Sequence, residues 1–396
     1  MEKPLDAIVL GLGAMGSAAL YQLAKRGAKV LGIDRFSPPH SHGSTHGDTR
    51  ITRQAIGEGE QYTPLALRSY EIWRDIEAQT GASLLSVTGG LVISSDAPHA
   101  SCHVPGFFDR TLAVARKHGI RHDLLDAAQI RERFPQFGVR DNEVGYFEHE
   151  AGFLRPEACV RAQLSLAEKH GAAVRRDERV GRFSEADGIV RVETDRGTYH
   201  AKRLIVSAGP WLAGLLDHPC ARYFSVTRQV LFWFDVTVPI ERFEPGNFPV
   251  FIWELQASRH GIYGFPAIDG QGGGVKIASE QNELRTSPDA VVREVSELET
   301  RVMYDTLVAP NLPDVSSDCV KSVSCLYTTT PDANFVIDRH PGMPSVIIAS
   351  PCSGHGFKHS AAIGESLAEL ALEGRSTLDL GSFAFSRLAP RPRPRA

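Results

Sequence analysis

Cysteine is scarce in this chain, with six among 396 residues and no Cys-x-x-Cys pair. That excludes a disulfide framework and the usual zinc-binding spacing, and it suits a reducing, cytoplasmic setting. No uninterrupted apolar run reaches the roughly 18 residues of a membrane span. An excess of one charge is missing too. Lysine and arginine total 43 against 47 acidic residues, a net charge of −4, so no basic field points to nucleic acid. Internal repeats are absent. With 42% hydrophobic and 23% charged residues the composition is that of a globular protein, which rules out disordered, collagen-like and coiled-coil classes. At roughly 150 residues per domain the length suggests two or three domains.

The stretch Ala7–Leu20 is apolar enough to imitate a signal-peptide core. Glu2 and Asp6 flank it, however, and glycine and serine interrupt it, so it reads as a buried parallel strand entering a glycine turn. Gly11-Leu12-Gly13-Ala14-Met15-Gly16 fits G-x-G-x-x-G between that strand and a helix over Met15–Arg26, and Asp34 ends the next strand. The first glycine makes the turn and the second admits a pyrophosphate. The third packs helix on strand, and the acid serves ribose hydroxyls.

Residues 37–61 form a long polar loop without periodicity, of a length that is usually functional or disordered. Helical spacing is expected over 63–79, 108–118, 125–134, 156–170, 288–305 and 360–373. Residues 173–207 read as hairpins punctuated by Asp187-Gly188 and Arg196-Gly197, ending in a buried strand closed by Ala208-Gly209-Pro210. Strand signals dominate 221–279, where Gly270–Gly274 is a hairpin turn, and the last strand, Ser345–Ala349, leads to Ser353-Gly354-His355-Gly356-Phe357-Lys358. Ala389–Ala396 is a basic, proline-rich end that reads as frayed. The fold class is α/β: a discontinuous Rossmann-like FAD-binding domain (1–90, 150–220 and 320–396) interleaved with a β-rich substrate domain (91–149 and 221–319). A single dinucleotide turn favours one flavin reduced by the substrate itself over an enzyme that uses both FAD and NAD(P)H.

Four segments, in order along the chain, resemble the monomeric sarcosine oxidase and N-methyltryptophan oxidase family. They are Ser44-Thr45-His46-Gly47-Asp48-Thr49-Arg50-Ile51-Thr52-Arg53, Tyr263-Gly264-Phe265-Pro266 with Lys276 beyond it, Cys325-Leu326-Tyr327-Thr328-Thr329-Thr330-Pro331-Asp332, and Ser353–Lys358. The resemblance implies FAD, thioether-linked through Cys325, and oxidation of a secondary N-methyl amine to an imine that hydrolyses. Oxygen is then reduced to hydrogen peroxide, by a monomer. It gives Arg53 and Lys358 the substrate carboxylate, Tyr263 and Tyr327 the cavity walls, and Lys276 the face where oxygen reacts. His46, Thr49, Arg50 and Ser44 belong near the flavin. Further cofactor contacts are expected from Gly11, Gly13, Met15, Gly16, Asp34, Arg35, Val180, Ala208, Gly209, Gly354, Gly356, Phe357 and Lys358. Cys352 reads as structural.

The family pattern is broken at one place. Sarcosine oxidases carry a histidine four residues after the lysine, where this chain has Glu280. Ile252 and Trp253 lie in a strand expected to line the cavity, and an added aromatic there suits a bulkier substrate unless it faces the core. Two rival readings are a flavin-dependent amine or imino-acid dehydrogenase that passes electrons to a carrier, and a non-catalytic flavoprotein subunit. Neither rival calls for Lys276 at the oxygen face, and the second needs neither Arg53 nor Lys358.

Overall fold

Short runs of Ala, Val, Ile and Leu, unbroken by polar residues, become the inner strands of a six-stranded sheet. The computed structural model describes residues 3–96, 104–256, 258, 260–281 and 284–388; the basic end Ala389–Ala396 lies outside them. Across the sheet the strands run Val336–His340, Met343–Ser350, Leu204–Val206, Ala7–Leu10, Val30–Ile33 and Ala173–Arg175. All neighbours are parallel except the first pair, an antiparallel hairpin. Ala7 and Val9 enter one core while Ile8 and Leu10 enter another on the opposite face. A strand covered on both faces needs apolar side chains at every position, which explains the missing alternation.

Three helices cover one face: Ala14–Lys25, Pro156–Lys169 and Ser360–Leu372. They approach closely because small residues meet there. A Cβ on Gly364 would lie 2.3 Å from the Ala18 Cβ.

The second unit is a nine-stranded, mostly antiparallel sheet. Its long strands Ser225–Val236 and Val315–Thr329 pair antiparallel, and Val275–Ser279, Ile262–Phe265, Val250–Trp253, Gly90–Ser95 and Glu143–Glu148 follow in order. Its core is aromatic, with Phe137, Phe232, Phe234, Phe248, Phe251 and Trp253 in one cluster. Trp253 therefore faces the core, where its indole Nε1 donates to Glu143 at 2.9 Å.

The structure departs from the sequence reading at several boundaries. The limit drawn at residue 320 cuts through the continuous strand Val315–Thr329. Ala173–Arg175 is not a hairpin arm but an edge of the parallel sheet; the hairpins are Val180–Ala186, Ile189–Thr194 and Thr198–Ala201. The helix expected over 125–134 starts at Ala127, because Asp126 ends a strand and forms a capping box with Gln129. The helix expected over 288–305 is confined to Glu297–Met303, capped by Ser296 and Glu299 and continued by a π turn, Tyr304–Val308. Within the polar loop, Arg50–Thr52 forms a short strand against Gly152–Leu154. Among the described residues, no helix is long and apolar enough to cross a membrane.

The tight helix contact is testable. Gly364→Ala should cost about 1–3 kcal/mol by overpacking. Gly214→Ala, where an added Cβ meets nothing within 4 Å, should be near neutral. Denaturant unfolding of both variants checks the difference.

Candidate active site

A cavity of about 350 Å³ opens at the carboxyl ends of the parallel strands, where Leu10, Asp34, Ser207 and Ser350 line it. This is where ligands bind in open α/β sheets. The glycine turn is set by space. Gly11 has φ +82°, and a Cβ there would lie 2.5 Å from the Ser207 carbonyl oxygen. A Cβ on Gly16 would lie 1.7 Å from the Gly11 carbonyl oxygen, so Gly16 packs the turn instead of lining the cavity. The helix that follows has Gly13 at its N-cap, without a side-chain cap or an acidic residue in its first turn. Thr45 Oγ1 accepts from the Ala14 amide at 3.4 Å, and the positive dipole end of the helix suits an anion.

Asp34 is buried and has structural work as well. Its Oδ2 accepts from the Leu12 amide at 2.7 Å and its Oδ1 from the Phe36 amide at 2.8 Å. Arg35 pairs with Asp289 at 2.8 Å, and Asp289 also accepts from the Trp211 indole at 3.0 Å. Met15, Ser44, Val180, Ala208, Gly209, Gly354, Gly356 and Phe357 also line this cavity, whereas Thr49, Cys325 and Lys358, expected at the cofactor, line only the adjoining cavity.

A second cavity of about 270 Å³ adjoins the first through Arg50, Tyr327, Gly354 and Phe357, which line both. Cys325 is buried in its wall, with Sγ 3.6 Å from Arg50 Nη2 and 3.6 Å from the Ser44 carbonyl. Arg50 is fixed by donating to the carbonyls of Ser44 and Thr49, both at 2.8 Å. Lys276, on the strand Val275–Ser279, donates to the carbonyls of Gly47 (2.6 Å) and Thr49 (2.9 Å) and to the Thr49 hydroxyl (3.2 Å). Burial, and then the Arg50 charge, hold its pKa well below the ordinary lysine value. Tyr263 and Tyr327 face each other with hydroxyls 3.4 Å apart, and burial pushes the Tyr263 phenol up to about 12.

Arg53 and Lys358 do come together, through a residue the sequence reading missed. Glu58 pairs with Arg53 and lies 3.6 Å from Lys358 Nζ. Lys358 also donates to the His355 carbonyl at 2.8 Å, and burial brings its pKa down to about 8 despite Glu58. Glu148, likewise missed, accepts from the amides of Gln54 (2.6 Å) and Ala55 (3.1 Å) and so fixes the turn between Arg53 and Glu58. An acid five positions after the motif arginine was the available signal for Glu58. Nothing local marks Glu148, which arrives from the other sheet.

His46 was expected at the site, yet it lies outside the linings of both cavities. It is buried behind Arg50 and Lys276, its Nε2 has no hydrogen-bond partner, and desolvation lowers its pKa to about 3. A neutral packing role fits this placement. Elsewhere, His218, Cys220 and His340 bring donor atoms within 4.8 Å of one another. Each imidazole Nδ1 accepts a backbone N–H at 3.1 Å, which puts the neutral ring's proton on Nε2 and removes that nitrogen as a ligand.

The family model described as "DAO: FAD dependent oxidoreductase" matches residues 6–370. The chain belongs to this family of FAD-dependent oxidoreductases. Among relatives, it is 39% identical to a monomeric sarcosine oxidase of Streptomyces avermitilis, covering 99% of this chain and 100% of that one. It is 34% identical to an N-methyl-L-tryptophan oxidase of Salmonella arizonae, covering 97% and 99%. In fold it is similar to NikD, an amino acid oxidase of nikkomycin biosynthesis, with TM-score 0.82, 24% identity and coverage of 99% and 98%. The first cavity fits the family's cofactor: the crowded Gly11, the helix start at Gly13 and the buried acid Asp34 all line it.

Lys358 gives a pH test. Below about pH 8 it is protonated and adds a cation for a carboxylate; above that it is neutral. Acetate affinity of the FAD-loaded protein, titrated by flavin absorbance, should therefore weaken as pH rises through 8. Lys358→Met should bind more weakly below pH 8 and lose that inflection.

Proposed function

We propose that this protein is an FAD-dependent oxidase of N-methyl amino acids, with the six-stranded sheet as the core of its cofactor domain and the nine-stranded sheet as that of its substrate domain. The observation that carries the reading is the convergence of Arg53, Lys358, Tyr263, Tyr327 and Lys276 on a cavity adjoining the dinucleotide cavity. The names of the relatives agree with it.

FAD held in the first cavity would supply the two-electron acceptor for a hydride equivalent from the carbon beside the amine nitrogen, with oxygen as the final electron acceptor and the resulting imine left for water to hydrolyse. The chain's own residues bind, orient and balance charge. The helix start after Gly13 would hold the pyrophosphate and Asp34 the ribose, since both line the first cavity. Arg53 offers a planar fork to the substrate carboxylate and Lys358 a point charge, which requires both to loosen their hold on Glu58. Tyr263 and Tyr327 stay protonated and wall the cavity.

Cys325 is the proposed point of covalent attachment. Its sulfur lies in the wall of the substrate cavity, 3.6 Å from the Arg50 guanidinium. Lys276 is proposed to serve oxygen. Its three acceptors match the three protons of an ammonium, and charge that is costly to bury alone becomes favourable when an anion forms next to it.

A peroxide-coupled screen over sarcosine, N-methyltryptophan, other N-methyl amino acids and cyclic imino acids tests the function; no peroxide from any of them would sink it. Wild-type protein precipitated with acid should stay yellow, and Cys325→Ser should release its FAD; a colourless wild-type pellet counts against the linkage. Lys276→Met should slow flavin reoxidation by about 10²–10³-fold, the scale of losing one preorganised electrostatic group, while flavin reduction changes far less. Stopped-flow absorbance follows the two half-reactions separately, and a dehydrogenase that uses another acceptor would show slow oxygen reaction already in the wild type.

A further inference from the structure

Lys276 is held from the sheet as well as from the loop. The antiparallel register sets it directly opposite Trp233 on one neighbouring strand and opposite Phe265 on the other. Residues directly opposite one another in a ladder share a face, so the three side chains form a row with the lysine in the middle. The row is in contact. Lys276 Nζ lies over the Phe265 ring, 4.4 Å from its centroid, and over the Trp233 ring at 5.2 Å. The face of an aromatic ring carries partial negative charge, and indole attracts a cation most strongly. Lys276 thus has two ring faces from the sheet, besides the three oxygen acceptors that Gly47 and Thr49 bring from the loop.

The two rings differ in position. Phe265 lines the substrate cavity, whereas Trp233 is 2% exposed and stands outside that lining. On the far side of Trp233 the register places Lys321, with Nζ 4.6 Å from the same ring centroid. Lys321 is half-exposed, and Asp48 meets its charge at 2.6 Å. The three oxygens that hold Lys276 are neutral. Charged and titratable groups reach it from each packed element: Arg50, Asp48 and the neutral His46 from the loop, Glu157 from the helix Pro156–Lys169, and Cys325 from the strand Val315–Thr329. Tyr263 and Glu280 line the same cavity. Burial acts most strongly on Lys276, followed by Arg50, and both favour the neutral amine. The aromatic faces act the other way.

We propose that Trp233 is a positioning residue: its indole face, set against Nζ by the sheet register, keeps Lys276 a cation in the wall of the substrate cavity. This inference rests on the reading that Lys276 serves oxygen, since only the charged form stabilises an anion.

The test follows Lys276 itself. In FAD-loaded protein with isotope-labelled lysine side chains, NMR reports its titration, identified by the signal missing from Lys276→Met. Trp233→Leu should move that titration about 0.5–1.5 pH units lower, the scale of one desolvated cation–π contact. Trp233→Phe should move it less. Tryptophan fluorinated on the ring keeps its shape but weakens the negative face. It should shift the titration further with each added fluorine, and have no effect in the Trp233→Phe background. An unchanged titration in Trp233→Leu, or in the fluorinated protein should that variant not fold, overturns the proposal. The second measurement is flavin reoxidation against pH after photoreduction, which needs no amine substrate. Its rate should fall as pH rises through the Lys276 titration, and the break should move down with it in Trp233→Leu. If the NMR titration moves and the reoxidation break does not, the role of Trp233 stands and the oxygen role of Lys276 fails.

Discussion

The cost of keeping cations out of water governs the centre of this molecule. Arg53, Lys276 and Lys358 are each about 95% or more buried, and Arg50 is half-buried against them. An isolated buried charge costs several kcal/mol unless polar partners surround it. The chain solves this by bringing carbonyl groups to the cations: Ser44, Gly47 and Thr49 for Arg50 and Lys276, Ala55 for Arg53, and His355 for Lys358. Loops lend their carbonyls in this way only when their backbone is unpaired. The long polar segment after Asp34 is irregular because its backbone is engaged with side chains.

Acidic residues then hold the loops that hold the cations. Glu157 accepts from the amides of Gly47 (2.7 Å) and Asp48 (3.3 Å), Glu148 from those of Gln54 and Ala55, and Glu58 joins Arg53 to Lys358. Removing one partner from such a network leaves the other buried without compensation. Glu148 and Glu157 therefore shape the cavity from behind its lining, whereas Glu58 faces it.

Much of the fold could be read from the chain because its signals are local. Ala7–Leu10, the glycine turn and the helix after it follow from composition and spacing within twenty-odd residues, and the second strand with its terminal acid follows the same rule. Legibility declined where one element depends on another distant in sequence. The strand Val315–Thr329 crosses the boundary drawn at 320 because it pairs along the whole of Ser225–Val236, from Thr329 at one end to Val315 at the other. Residues 288–296 have helical spacing but form a turn at 288–290 and irregular backbone after it, with Asp289 tied to Arg35 and Trp211 and Arg293 donating to the carbonyls of Ser41 and His42. The site divided in the same way. Motif residues such as Arg53, Lys276 and Lys358 were legible, whereas Glu148 was not, and His46, inside the motif, turned to the interior.

The interleaving of the two sheets has a consequence for how the protein comes into being. The six-stranded sheet draws strands from residues 7–33, 173–206 and 336–350. On the ribosome, the first two strands and their glycine turn are made long before the strand Met343–Ser350 that completes the cavity rim. Until then the apolar faces of Ala7–Leu10 and Leu204–Val206 lack part of their cover, while the nine-stranded sheet can assemble almost entirely from residues already synthesised. Contacts of such long sequence separation form late and slowly. Completion of the first cavity is thus placed at the end of synthesis, when the last parallel strand joins the sheet and the Ser360–Leu372 helix packs on Ala14–Lys25.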